Sequence, residues 1–121
     1  MTFSLNTTVI KPDENNKINS AIILFHGYGG DGKDISTLTY NWKRFLPNTV
    51  FLCPNGHEAC SINQSGFQWF DLSKDDPEYI IEQSLKAEQI IKKYINEAKE
   101  LYKLKQKTIN NIYFIVKLET R

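Results

Sequence analysis

Three short, wholly apolar runs separated by segments of helical periodicity predict an α/β fold with a mostly parallel sheet and flanking helices. The runs are Ala21–Phe25, Val50–Cys53 and Ile112–Val116. Each is apolar on both faces, as a parallel strand must be when helices cover it on both sides. Two helical stripes lie between them, so strands and helices alternate along the chain.

A first strand is predicted within residues 3–10, closed by Lys11-Pro12-Asp13 and the polar run that follows. The strand Ala21–Phe25 stops at His26-Gly27. A helix is then expected from an N-cap at Asp34, with Ile35, Leu38, Trp42, Phe45 and Leu46 on one face and Pro47-Asn48 as its end. The strand Val50–Cys53 stops at Pro54-Asn55-Gly56. A loop of about twenty residues follows, longer than most connections, and loops of that length are often functional. Pro77 suits the first turn of a long helix, with Asp75 and Asp76 near its positive end. Its apolar positions run from Ile80/Ile81 through Ser84/Leu85, Ala87, Ile90/Ile91 and Tyr94/Ile95 to Ala98 and Leu101/Tyr102.

The 121 residues fit one domain with a usable core. A net charge of +1 gives no field that would mark a partner as nucleic acid or anionic lipid. The N-terminus lacks the basic and apolar regions of a signal peptide, and the longest apolar run is too short to span a bilayer. Two cysteines, Cys53 and Cys60, do not make a disulfide framework. A cytoplasmic protein with two inert thiols is the expectation.

The most informative segment is Phe25-His26-Gly27-Tyr28-Gly29-Gly30-Asp31-Gly32-Lys33-Asp34, which leaves a strand and opens a helix. As a phosphate loop it offers Gly27, Gly32 and Lys33, but Asp34 stands where a hydroxyl should bind Mg²⁺, and a carboxylate there repels phosphate. As a dinucleotide fingerprint it offers Gly27, Gly29 and Gly32, but the next strand ends without the acid that holds a ribose. As an oxyanion loop it presents a backbone N–H, that of Tyr28, to a developing alkoxide, with glycine allowing close approach and a sharp turn. A plain glycine-rich turn explains the same residues. From the loop alone the last two stay open.

The order of four features resembles a known family. Ile22-Ile23-Leu24-Phe25-His26-Gly27-Tyr28-Gly29-Gly30-Asp31-Gly32 is similar to the start of α/β-hydrolases of the phospholipase/carboxylesterase type, the group that includes acyl-protein thioesterases. Cys53-Pro54-Asn55-Gly56 resembles that family's strand-ending turn, and Gly66-Phe67-Gln68-Trp69-Phe70-Asp71 its Trp-Phe-Asp loop. The long helix from Pro77 stands where the family's helix precedes the nucleophile strand. The resemblance covers about residues 18–112, the first half of the family's fold. It implies a partial α/β-hydrolase sheet. In that fold Tyr28 supplies an oxyanion N–H, Gly27 shapes the turn, and Trp69 lines the substrate pocket or seals the core. His26, Gly29 and Asp71 brace the loops, and His26 is not the catalytic base. The substrate implied is a small carboxylic ester or thioester, with no cofactor.

The family's nucleophile elbow, Gly-x-Ser-x-Gly, occurs nowhere in the sequence. Lys117-Leu118-Glu119-Thr120-Arg121 follows the third strand where the elbow should be, and the acid and base would come later still. One partial domain over 1–121 is therefore expected, with an unrelated tail over about 113–121 and none of the catalytic triad. Without later strands, Ile112–Val116 is expected at an apolar sheet edge, where it lowers stability and invites aggregation. Ser65 lacks an elbow, His57 and Cys60 offer a Cys/His pair, and Cys53-x₃-His57-x₂-Cys60 offers three soft ligands where zinc takes four; no metal is expected. Two readings stand beside that of an inactive hydrolase half: a non-catalytic acyl- or anion-binding protein, and one half of a split esterase.

Overall fold

A computed structural model describes residues 3–103 and the backbone of the strand 112–116. One mixed sheet carries the fold. Its strands are β1 (Thr7–Ile10), β2 (Ser20–Phe25), β3 (Thr49–Pro54) and β6 (Ile112–Val116), in the order β1-β3-β2-β6. β2 runs parallel to both neighbours, with Ile22 beside Phe51 on one side and Tyr113 on the other. β1 alone is antiparallel, pairing Thr7 with Pro54. The first strand thus starts at Thr7, not at Phe3. β6 continues unbroken to Val116 and is the sheet's edge among the described residues; residues 117–121 of the expected tail lie outside them.

The double-sided apolar pattern of β2 and β3 has a direct structural counterpart. Ala21, Ile23, Phe25, Val50 and Leu52 face one way and pack with Leu5, Tyr94 and Ala98. Ile22, Leu24, Phe51 and Cys53 face the other way and pack with Ile35, Trp42 and Leu46. Alternation with period two sends successive side chains to opposite layers, so each strand needs a helix on both sides.

The helix on the second layer departs from expectation. Its cap is Asp31, whose Oδ1 accepts the Asp34 N–H at 2.7 Å, so Asp34 belongs to the first turn. It breaks into α1 (Gly32–Ile35), a 3₁₀ turn over Ser36–Leu38, α2 (Thr39–Trp42) and a second 3₁₀ turn over Lys43–Phe45. Three hydroxyls account for the break. Ser36, Thr37 and Thr39 each donate to the carbonyl three residues back, at 2.6–2.8 Å, and such back-bonding competes with the α-helical ladder. The apolar stripe breaks with it: Ile35 is buried, while Phe45 is exposed.

α3 (Pro77–Leu101) begins as expected, with Asp76 as N-cap and Pro77 in the first turn. Ala87, Tyr94 and Ala98 are buried, and Tyr94 and Ala98 pack into the core of the sheet with Ile90, Ile91 and Ile95 beside them. Ile81 and Leu85, read from the sequence as part of the buried stripe, are exposed. The long loop contains a small hairpin, β4 (Glu58–Ala59) with β5 (Phe67–Gln68), too short to show a period in sequence. No helix among the described residues is long and apolar enough to cross a membrane.

Tyr94 joins the layers. Its ring is fully buried and packs 5.1 Å from Phe3, centroid to centroid. Its hydroxyl meets Thr7 Oγ1 at 2.8 Å, and since Thr7 donates to the Leu5 carbonyl, Tyr94 is the donor. Tyr94→Phe leaves no donor stranded and is expected to cost about 0.5–1.5 kcal/mol. Tyr94→Ala opens a cavity and is expected to cost about 3–5 kcal/mol. Urea midpoints separate the two, and equal losses would contradict Tyr94 as a packing strut.

Candidate functional site

The glycine loop leaves the carboxyl end of β2, the edge at which open α/β sheets bind ligands. Its first residue, His26, is buried and tied at both ring nitrogens. Nε2 accepts the Gly56 N–H at 2.8 Å, so the ring proton is on Nδ1, which donates to the Gly27 carbonyl at 2.6 Å. Burial lowers the pKa of this imidazole and keeps it neutral, outweighing the Gly27 bond and the Asp31 charge. A ring engaged in this way has no lone pair free for proton transfer. The Trp69 indole N–H donates to the His26 carbonyl at 3.1 Å, and its ring stacks on His26 at 5.3 Å and meets the edge of Phe25 at 5.6 Å.

Beyond Gly27 the loop is bound to β5. The Gly29 N–H donates to the Phe67 carbonyl at 2.9 Å, and the Phe67 N–H returns to the Gly30 carbonyl at 2.8 Å. The Asn63 side chain donates to the Gly29 carbonyl at 3.0 Å. Gly29 has φ of 81°, a left-handed conformation that favours glycine. Gly66 is required for a different reason: a Cβ there would drive into the Gly29 carbonyl. Gly30 N–H closes the turn on the Gly27 carbonyl at 3.1 Å. Among the described residues, no hydrogen bond uses the backbone N–H of Tyr28.

The Tyr28 side chain reaches across the loop. Its hydroxyl donates to Asp71 Oδ1 at 3.1 Å and lies 3.0 Å from the Ser61 hydroxyl. Asp71 Oδ1 also accepts from Ser61 Oγ (3.0 Å), Ser73 N (2.9 Å) and Ser73 Oγ (2.6 Å). These donors, Ser73 foremost, hold the Asp71 carboxyl down at about 2. It is an ionised hub, and it leaves no proton to give at neutral pH.

The six residues singled out in the sequence thus converge: His26, Gly27, Tyr28 and Gly29 form the loop, and Trp69 and Asp71 brace it from the other side. Ser61, Asn63 and Ser73, which help to hold that arrangement, carried no signal beyond their place in a long polar loop, apart from the Asp71-x-Ser73 spacing of an Asx turn, and Phe67 stood only inside the Trp-Phe-Asp motif, with no sign of its pairing to the glycine loop. The substitute nucleophiles do not assemble. Ser65 Oγ donates to Asn63. His57 has both ring nitrogens buried without a hydrogen-bond partner, so it makes none to Cys60. Cys53 and Cys60 are free and buried, and burial alone raises the Cys53 thiol to about 12. No group of three or more His, Cys, Asp or Glu side chains converges on a metal position among the described residues. Two amides that a phosphate loop would aim at its ligand are taken: Gly32 N–H donates to Asn55 Oδ1 at 2.8 Å and Asp34 N–H to Asp31.

Comparison with known proteins agrees with this architecture. A profile described as Phospholipase/Carboxylesterase matches residues 5–116, wider at both ends than the span read from the motifs. The crystal structure of esterase PE8 superposes with a TM-score of 0.80 at 24% identity, over 93% of this chain and 51% of that one. The crystal structure of Zea mays acyl-protein thioesterase 2 gives 0.51 at 21% identity, over 95% of this chain and 46% of that one. The chain spans about half the length of these structures.

Gly66→Ala is expected to cost about 1–3 kcal/mol, as overpacking does. It should also move the amide resonances of Gly29, Gly30 and Phe67. A fully stable variant with those resonances unchanged would contradict the close approach of the two segments.

Proposed function

The chain belongs to the phospholipase/carboxylesterase family, and from that premise we propose that it supplies the oxyanion-loop half of a carboxylic ester or thioester hydrolase site. In such chemistry the nucleophile turns a planar carbonyl into a tetrahedral oxyanion, and pre-aimed N–H groups lower the barrier by binding the charge as it forms. The Tyr28 backbone N–H is that donor. Gly27 gives the turn its shape, His26, Gly29 and Asp71 brace it, and Trp69 closes the floor of the substrate pocket. The Tyr28 N–H carries the reading: among the described residues nothing accepts from it, whereas the Gly29 and Gly30 amides that follow it are spent on holding the loop.

The 121 residues hold no Gly-x-Ser-x-Gly, and none of the serines, histidines or acids described above forms a triad. A complete site of this kind needs a serine, an acid and a base beyond those that the residues described above provide, and on this reading the 121 residues alone do not turn over an ester. A second reading, acyl or anion binding without turnover, rests on the same free N–H.

A fluorophosphonate ester phosphonylates an activated serine by displacing its leaving group. It is expected to leave the 121-residue chain unlabelled, and a p-nitrophenyl ester should be hydrolysed no faster than in buffer. Stoichiometric labelling of Ser61, Ser65 or any other serine would contradict this account. Movement of the Tyr28 amide on titration with a short-chain carboxylate, without turnover, favours the second reading.

A further inference from the structure

Among the described residues, part-buried His57 has two buried ring nitrogens that the roles above leave unexplained. It follows Gly56, whose N–H is fixed on His26, and its ring lies 6.2 Å from Trp69. Neither ring nitrogen has a hydrogen-bond partner, a costly condition for a buried imidazole. Glu58 Oε2 lies 3.8 Å from its Nε2. The other oxygen of that carboxylate, Oε1, accepts from Gln68 Nε2 at 2.9 Å, directly across the β4–β5 pair. Buried Gln68 in turn accepts the Ser61 N–H through Oε1 at 3.1 Å. Ser61 then meets both Asp71 and the Tyr28 hydroxyl, each at 3.0 Å. A polar chain therefore runs from Glu58 through Gln68 and Ser61 to the side chain of Tyr28, and His57 stands at its start across a 3.8 Å gap.

We propose that His57, Glu58 and Gln68 are positioning residues that set the glycine loop, and that protonation of His57 shifts the Tyr28 N–H through this chain. The proposal rests on the reading of Tyr28 as the oxyanion donor for its functional meaning, but not for its geometry. The gap from His57 to Glu58 is too long for a hydrogen bond in the neutral state. An imidazolium draws a carboxylate to about 2.7–2.9 Å, so Glu58 must move by about 1 Å. Glu58 is part-exposed and free to do so, whereas Gln68 is buried and held at both ends of its amide. Movement of Glu58 therefore pulls on Gln68 and, through it, on Ser61. The groups facing His57 are Glu58 from β4, which favours the proton, and Lys86 from α3, which opposes it; burial opposes it more than either and lowers the pKa. The neutral ring is the form present at pH 7, and the switch acts as pH falls below the ordinary histidine value of 6.5.

The test is an NMR pH titration of the whole chain that follows the His57 ring together with the Tyr28 and Ser61 amides. The expected result is that both amides move with the midpoint of the His57 ring. Glu58→Gln keeps an acceptor for Gln68 but no charge for His57. In that variant His57 should still titrate while the Tyr28 amide stays still over the same range. His57→Gln should abolish the movement and separate it from any titration of His26. A Tyr28 amide silent through the His57 transition would overturn the proposal, as would one that moves unchanged in His57→Gln. Neither readout needs turnover, so a failed relay leaves the oxyanion reading untouched, and serine labelling leaves the relay untouched.

Discussion

The two backbone hydrogen bonds between Phe67 and the loop that leaves β2 hold that loop while, among the described residues, the Tyr28 N–H stays unbonded. A glycine-rich turn by itself is the most mobile backbone a protein can make, because glycine loses the most conformational freedom on ordering. Here the Gly30 amide closes the turn on Gly27, and the rest of the restraint comes from a separate segment. Phe67 grips Gly29 and Gly30, Asn63 grips the Gly29 carbonyl, and His26 ties Gly27 to the Gly56 turn. The hairpin that carries Phe67 has only two residues per strand. It is stable because it leans on the loop that it restrains.

Burial and polarity divide the work. The sheet strands form one apolar layer with α3 and a second with Ile35, Trp42 and Leu46, and the two layers fix the carboxyl ends of β2 and β3 in space. Over those ends sits a polar cap in which Asp71, Ser61, Ser73, Gln68 and Glu58 satisfy one another. Trp69 bridges the two, with its ring against Phe25 and its N–H on the His26 carbonyl. Removing such a ring would unseat the core and the loop together, and for that reason loss of Trp69 cannot by itself distinguish pocket lining from structural support.

The sheet was legible because its signal is redundant. Ala21–Phe25 and Val50–Cys53 are apolar at every position, and an apolar run of five residues or fewer between turn residues has few other homes in an α/β chain. The start of α3 was legible because Asp76 and Pro77 are cap and first-turn residues with local physical reasons. The helix after the glycine loop was misread because apolar spacing is blind to hydroxyls: Ile35, Trp42 and Leu46 pack inward, but Ser36, Thr37 and Thr39 bond backward and break the element. At the site, His26, Gly27, Tyr28 and Gly29 stood out by motif. Their partners did not, because Ser61, Asn63 and Phe67 act through long-range pairing that no local pattern encodes. The chain spans half of the solved structures it matches, and the absence of Gly-x-Ser-x-Gly was plain in the sequence from the start.

Residue-resolved hydrogen exchange of the 121-residue chain tests the central claim most directly, because it reads which amides of the loop are spent and which is free. The Gly29, Gly30 and Phe67 amides are bonded and should exchange slowly, with protection comparable to one another, while the adjacent Tyr28 amide should exchange fast. Fast exchange at all four positions would mean that the loop is not held by Phe67. Protection of Tyr28 equal to that of Gly29 would mean that its N–H is already bound, and the chain would then carry no free oxyanion donor at that position.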